Sequence, residues 1–211
     1  MTTTTLPIFP LGSVLIPNMP LALQIFEPRY RMMLEHIEAD EQRFGVVLIE
    51  RGFEVGGGDA RFTLGTVAEL ELTRQMSGGQ IRLIARGTQR FEVESWLPDD
   101  PYPQAEVRLL PELEWFDADQ PRIDEVEATV RRALAIASEY NTHAWPSDTP
   151  LSRGRLAAAW QLAGIAPVGA LDQQTLLGST SVAELLDGIE RLTTEAIELL
   201  PLQLPDEPDP A

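Results

Sequence analysis

Cysteine and lysine are both missing from this 211-residue chain, and histidine occurs only twice. Without cysteine there is no disulfide, no thiolate metal site and no cysteine nucleophile. Without lysine there is no G-x-x-x-x-G-K-[ST] phosphate loop and no serine–lysine dyad. Long apolar runs are missing too: none approaches the ~20 residues that span a bilayer. The opening MTTTTLPIF has neither a basic n-region nor an unbroken apolar h-region, so no secretory signal is expected and the chain is read as cytoplasmic. Positive charge is scarce, with 16 arginines against 33 acids and a net charge of −17. The deficit deepens along the chain: 15 acids and 10 arginines up to residue 110, then 18 acids and 6 arginines. Phosphate binding needs a basic stripe, so nucleic acid and anionic membrane are poor partners. The charge is read first as solubilising rather than as an acidic docking surface.

What remains is an ordinary globular composition, 44% hydrophobic. The length suits one large domain or two small ones, burying about 70% of the unfolded surface without metal or disulfide. The first half reads as strands. RFGVVLIE (43–50) is a short β-branched run fit for burial on both faces. FTLGTVAELELT (62–73) alternates, which puts Phe62, Leu64, Thr66, Ala68, Leu70 and Leu72 on one face. QIRLIAR (80–86) follows the turn signal Ser77-Gly78-Gly79, QRFEVESW (89–96) alternates again, and QAEVRLL (104–110) is a last strand. Gly87 suggests a bulge or bend rather than a loop. One helix interrupts this half: Pro28 suits a first helical turn, Glu27 favours the dipole, and Tyr30, Met33, Leu34 and Ile37 have helical spacing.

The second half reads as helices. Residues 121–140 place Ile123, Val126, Val130, Leu134 and Ala137 on one stripe. A helix over 150–164 is expected from Thr149 as cap and Pro150 as first residue, and Asp172 is expected to cap a short helix ending at Leu177. Ser181 and Glu184 form a capping box for a helix that turns Leu185, Ile189, Leu192, Ala196 and Leu199 inward. Strands with one helix followed by helices alone is an α+β pattern, with a boundary near 111–121.

The opening LPIFPLGSVLIPNMPLALQIFEPRYRMML resembles the start of the Lon protease N-terminal, or LON substrate-binding, domain. Gln24 stands where that family commonly has histidine before IFEPRYR. FGVVL (44–48), LGTVAEL (64–70), IRLIARGTQRFEV (81–93), PYPQAEV (101–107) and DQQTLL (172–177) continue the match in order, with Gln173 where a basic residue is common. The resemblance implies a PUA-like β-barrel with one packed helix over 1–115, an α-helical bundle subdomain over 116–201, and an acidic tail, read as disordered, over 202–211. It also implies a non-catalytic role in binding unfolded or flexible polypeptide segments, with a protease or chaperone as a further partner and no cofactor. Lysine-free, and ending where ATPase and peptidase modules would begin, the chain is expected to be a stand-alone form.

Candidate site residues are weighed against structural roles. In the corner IFEPRYR, Phe26, Glu27, Pro28, Arg29 and Tyr30 are read as scaffold rather than as a general-base site, and so are Gly65 and Thr66 of LGTVAEL. Gly56-Gly57-Gly58-Asp59 is a loop rather than a phosphate cradle. His36 and His143 are read as surface or helix-end residues, and Ser147 and Asp148 beside His143 do not make a triad, which draws on separate elements. Met19, Phe53, Trp96 and Tyr102 are apolar loop residues suited to a patch for unfolded chains, or else to capping the core, which is favoured for Trp96. Contacts are expected from loops and from the groove between barrel and helices. The alternative is a hydrolase or other enzyme, which requires a deep pocket with converging polar groups and perturbed acids.

Overall fold

The computed structural model describes residues 3–39, 42–52, 60–76, 80–139 and 145–199. Among these are six strands: β1 (Thr3–Leu11), β2 (Pro20–Ile25), β3 (Arg43–Arg51), β4 (Ala60–Gln75), β5 (Ile81–Leu97) and β6 (Gln104–Leu109). Helix α1 (Pro28–Ala39) lies between β2 and β3, and α2 (Gln120–Glu139), α3 (Arg155–Ile165), α4 (Ala170–Leu177) and α5 (Val182–Leu199) follow β6. This is the α+β order the sequence indicates.

Strand β5 organises the sheet. The two segments expected on either side of Gly87 are one strand that bends there, and the register against β4 shifts at that point. A Cβ at Gly87 would lie 2.6 Å from the carbonyl oxygen of Ile16, so only glycine lets the loop before β2 approach so closely. The length of β5 lets it pair with β2 through its first half, β6 through its second half and β4 along most of it. β4 pairs with β3, β3 runs parallel to β1, and β1 pairs with β6. Strands β1, β3, β4, β5 and β6 thus form a closed circuit of hydrogen-bonded neighbours, with β2 outside it. Leu6, Ile8, Val47, Val67, Phe91, Val93, Ala105 and Val107 form one apolar cluster within it. Gly45 and Gly65 make room for the Phe91 ring, because a Cβ on either would meet it at 2.6–2.7 Å.

A larger apolar cluster joins α1, β2 and the four later helices, from Phe9 and Tyr30 to Trp160 and Ile189. Strand half and helical half therefore share this larger cluster, beside the separate one inside the strand circuit. Two helix starts differ from expectation. α3 begins at Arg155, not Pro150, because Thr149 and Ser152 spend their hydroxyls on local turns, to Pro146 O at 2.6 Å and from Gly154 N–H at 3.2 Å. α4 begins at Ala170 after Gly169, which leaves Asp172 inside the first turn instead of at the cap. In α5, Ser181 accepts from the Glu184 N–H at 3.1 Å, while the Glu184 carboxylate takes the N–H and hydroxyl of Thr180, both at 2.7 Å. Leu199 is exposed rather than inward.

Candidate functional site

The IFEPRYR corner is built by the end of β2 and the first turn of α1. Pro28 is the first helical residue, as its missing N–H allows. Tyr30 is buried and stacks on Phe9, with ring centroids 4.1 Å apart. Arg29 lies over the Tyr30 ring at 4.5 Å and its Nε donates to Glu27 Oε2 at 3.1 Å. Glu27 is thus held by a cation and shows no free geometry for a base. Phe26, one residue earlier, is 56% exposed.

Two shallow concavities adjoin β2. One, of about 180 Å³, is lined by Phe9 and Leu11 of β1, Ala22 to Glu27, and Tyr30. The other, about 350 Å³, is lined by Ala22, Leu23, Gln24, Met76 and Arg82. Ala22, Leu23 and Gln24 belong to both, so β2 is the wall between them. Exposed apolar side chains surround this strand: Phe26, Met76 at 42% and Leu72 at 55%. Alternation in the sequence groups Leu72 on one face with Thr66 and Ala68, which are buried. The register shift between Leu70 and Leu72 places an extra β4 residue opposite β5, which turns Leu72 to the outer face.

Among the described residues, packing fills the strand–helix junction where a groove was expected. Met19 is only 7% exposed and packs against Gly164 of α3, where an added Cβ would strike it. The Arg90 guanidinium donates to Leu177 O at 2.8 Å and Ser179 O at 2.6 Å and lies 5.0 Å from the Trp160 ring centroid. Burial pushes its pKa below the ordinary arginine value. Gln174 Nε2 donates to Leu64 O at 3.0 Å and Gln161 Nε2 to Asn18 O at 3.3 Å. Only about 20 Å³ of space remains beside Arg90. The motif TQR in β5 gave no sign of this clamp, because an arginine in an alternating strand reads as surface.

The other sequence candidates are dispersed. Tyr102 is buried; its hydroxyl lies 2.8 Å from His36 Nδ1 and burial raises its pKa. Met19 and Tyr102 are therefore core residues and offer no surface patch. Trp96, expected in the core, is 37% exposed on β5 beneath Arg61 at 5.2 Å. Phe53, the glycine loop 56–59, His143 and the tail lie outside the described residues. Gly65 and Thr66 are buried between β3 and β5, and the Thr66 hydroxyl has no hydrogen-bond partner among the described residues. Among the described residues no three His, Asp or Glu converge on a metal position. Glu184 and Glu190 are held below the usual carboxylate range, by the Thr180 backbone N–H and by Arg122 respectively, the reverse of a raised general acid. No helix among them is long and apolar enough to cross a membrane.

Residues 5–195 match the family model described as the ATP-dependent protease La (LON) substrate-binding domain. The chain belongs to that family. LON-domain relatives include Lon protease 2 of Herpetosiphon aurantiacus, 24% identical over 96% of the chain, and Lon protease of Anaeromyxobacter dehalogenans, 32% identical over 62%. The chain spans 25% and 15% of these two proteins. Among solved structures, a Lon N-terminal domain protein from Xanthomonas campestris superposes with a TM-score of 0.59 at 24% identity, covering 96% of this chain and 99% of that one. The N-terminal domain of Mycobacterium avium complex Lon protease gives 0.65 at 17% identity, covering 91% and 99%. These likenesses place the LON fold on the chain.

Proposed function

We propose that the chain is a non-catalytic module that binds unfolded or flexible polypeptide segments. The observation that carries this reading is the exposed apolar collar of Phe26, Leu72 and Met76 around β2, beside two shallow concavities. Isolated exposed hydrophobes need no explanation, but a cluster beside a groove suits an adaptable contact surface, and methionine packs against many shapes. Family membership supports the same reading. The closed strand circuit supports a PUA-like barrel over 1–115, and α2 to α5 support a helical bundle subdomain over 116–201 that shares its core. A protease or chaperone would receive what the module holds.

The test is fluorescence anisotropy with a labelled, permanently unfolded polypeptide and its folded counterpart, at two salt concentrations. Binding of the unfolded form alone, little changed by salt, is expected for an apolar contact. Absence of binding to either at tens of micromolar would remove general client recognition.

A further inference from the structure

β2 is the edge of the sheet, paired with β5 and with no other described strand. The ladder identifies which of its backbone groups are unused. Gly87 N–H donates to Met19 O at 2.9 Å, and the Met19–Gly87 pair continues the register Leu21–Ala85, Leu23–Leu83, Ile25–Ile81. Hydrogen-bonded pairs alternate in an antiparallel ladder. Leu21, Leu23 and Ile25 therefore turn their N–H and C=O toward β5, while Ala22 and Gln24 turn theirs to the open edge.

Side chains across the sheet fall into rows. Ala22 lies in one row with Ile84 and Leu72, and Gln24 in the next with Arg82 and Arg74. Leu23 faces the other way and lines the groove of Phe9, Leu11 and Tyr30. The Arg74 and Arg82 side chains are exposed and their guanidinium groups form no ion pair or hydrogen bond among the described residues, although the molecule carries a net charge of −17. Glu27, which also lines the groove, is already engaged by Arg29.

We propose that β2 takes up an extended, acid-bearing apolar segment of a partner polypeptide as an added antiparallel strand. This rests on the polypeptide-binding reading above and adds mode, register and sequence preference. Main-chain bonds to an edge give affinity, and alternating side-chain sites give specificity. The partner residue opposite Gln24 is acidic, because it joins the row of Arg82 and Arg74. The residue opposite Leu23 is apolar and faces the groove, and the one opposite Ala22 is apolar and joins Ile84 and Leu72. Running antiparallel, the partner reads acid–apolar–apolar. A second copy is a poorer occupant, since a two-fold pairing through β2 would bring two unneutralised arginine rows onto one face.

The test uses a labelled ten-residue peptide centred on Asp-Leu-Leu, the same peptide with Asn for Asp, and one N-methylated at the Asp. Binding is read by anisotropy, and the site by amide hydrogen exchange of the whole protein. Slowed exchange at Ala22 and Gln24 is expected, with about tenfold weaker binding of the N-methylated peptide. About threefold weaker binding is expected of the Asn peptide, and Arg82→Ser erases that difference. Gln24→Pro removes an outward donor and leaves the β5 ladder intact, so it weakens binding with unchanged circular dichroism. Equal binding of the three peptides, or slowed exchange elsewhere, overturns the proposal. So does concentration-dependent protection of Ala22 and Gln24 in the free protein, which would assign the edge to a second copy. If the neutral unfolded polypeptide binds but these peptides show no difference, strand addition fails and the general reading stands. If only the Asp peptide binds, the reverse holds.

Discussion

Arg90 is a cation enclosed by carbonyls of the helical half, and it joins that half to β5. Removing it leaves Leu177 O and Ser179 O without their donor in a site too small to rehydrate well. Arg90→Met is expected to lower unfolding free energy by about 3 kcal/mol in urea titration. Thr66 presents the opposite case. Its fully buried hydroxyl has no partner among the described residues, so Thr66→Val replaces an unsatisfied group with a methyl of similar size. A gain of about 1 kcal/mol is expected from the same titration. At Gly65 a Cβ would collide with the Val46 carbonyl and with Phe91, both of which are fixed. The sequence marked Gly65 and Thr66 by resemblance, but their close contacts come from β3 and β5 and have no local signature.

Element by element, the sequence was readable where a period persists. The α2 stripe and the start of α1 at Pro28 follow directly from spacing and from proline's missing donor. β4 was not readable in the same way. The irregularity near Val67 adds its extra residue to β5, but the extra residue at Glu71 resets the alternation of β4 itself, and a one-residue slip exchanges the two faces. That is why Leu72, grouped by alternation with Thr66 and Ala68, does not share their buried face, and why the exposed collar at β2 was invisible. The α2–α5 contact yields a pH prediction. Arg122 donates to Asp187 Oδ1 at 2.8 Å and also to Glu190, which holds Glu190 below the usual carboxylate range. Thr180 does the same for Glu184 at the α5 cap. A depressed folded pKa contributes stability above the unfolded carboxylate pKa and loses it as pH falls through the folded value. Urea midpoints from pH 7 to pH 3 are therefore expected to fall less steeply in Glu184→Gln and Glu190→Gln than in the parent. The difference between proteins is the readout, because acid also relieves the −17 self-repulsion.

For the whole molecule, one apolar cluster spans Phe9 to Ile189, so strands and helices are expected to unfold together. Trp160 sits at their contact and Trp96 on β5. Tryptophan fluorescence and far-ultraviolet circular dichroism should give coincident urea transitions, and separate midpoints would mean independent halves. The shared core also accounts for a sequence expectation that failed. Met19 and the strand–helix junction offered apolar side chains in a proline-rich setting, which suits either a binding loop or a packed seam, and Gly164 in α3 makes it a seam. The binding surface proposed above is instead the β2 corner, whose exposure depends on sheet order rather than on composition. The most direct measurement is the affinity of a permanently unfolded polypeptide for the parent protein and for the Phe26→Ser, Met76→Ser double variant. Both side chains are exposed, so folding should survive, as a circular dichroism melt would verify. A loss of about tenfold or more in affinity is expected if the collar is the contact surface. Equal affinity in the two proteins would place client binding elsewhere on the chain.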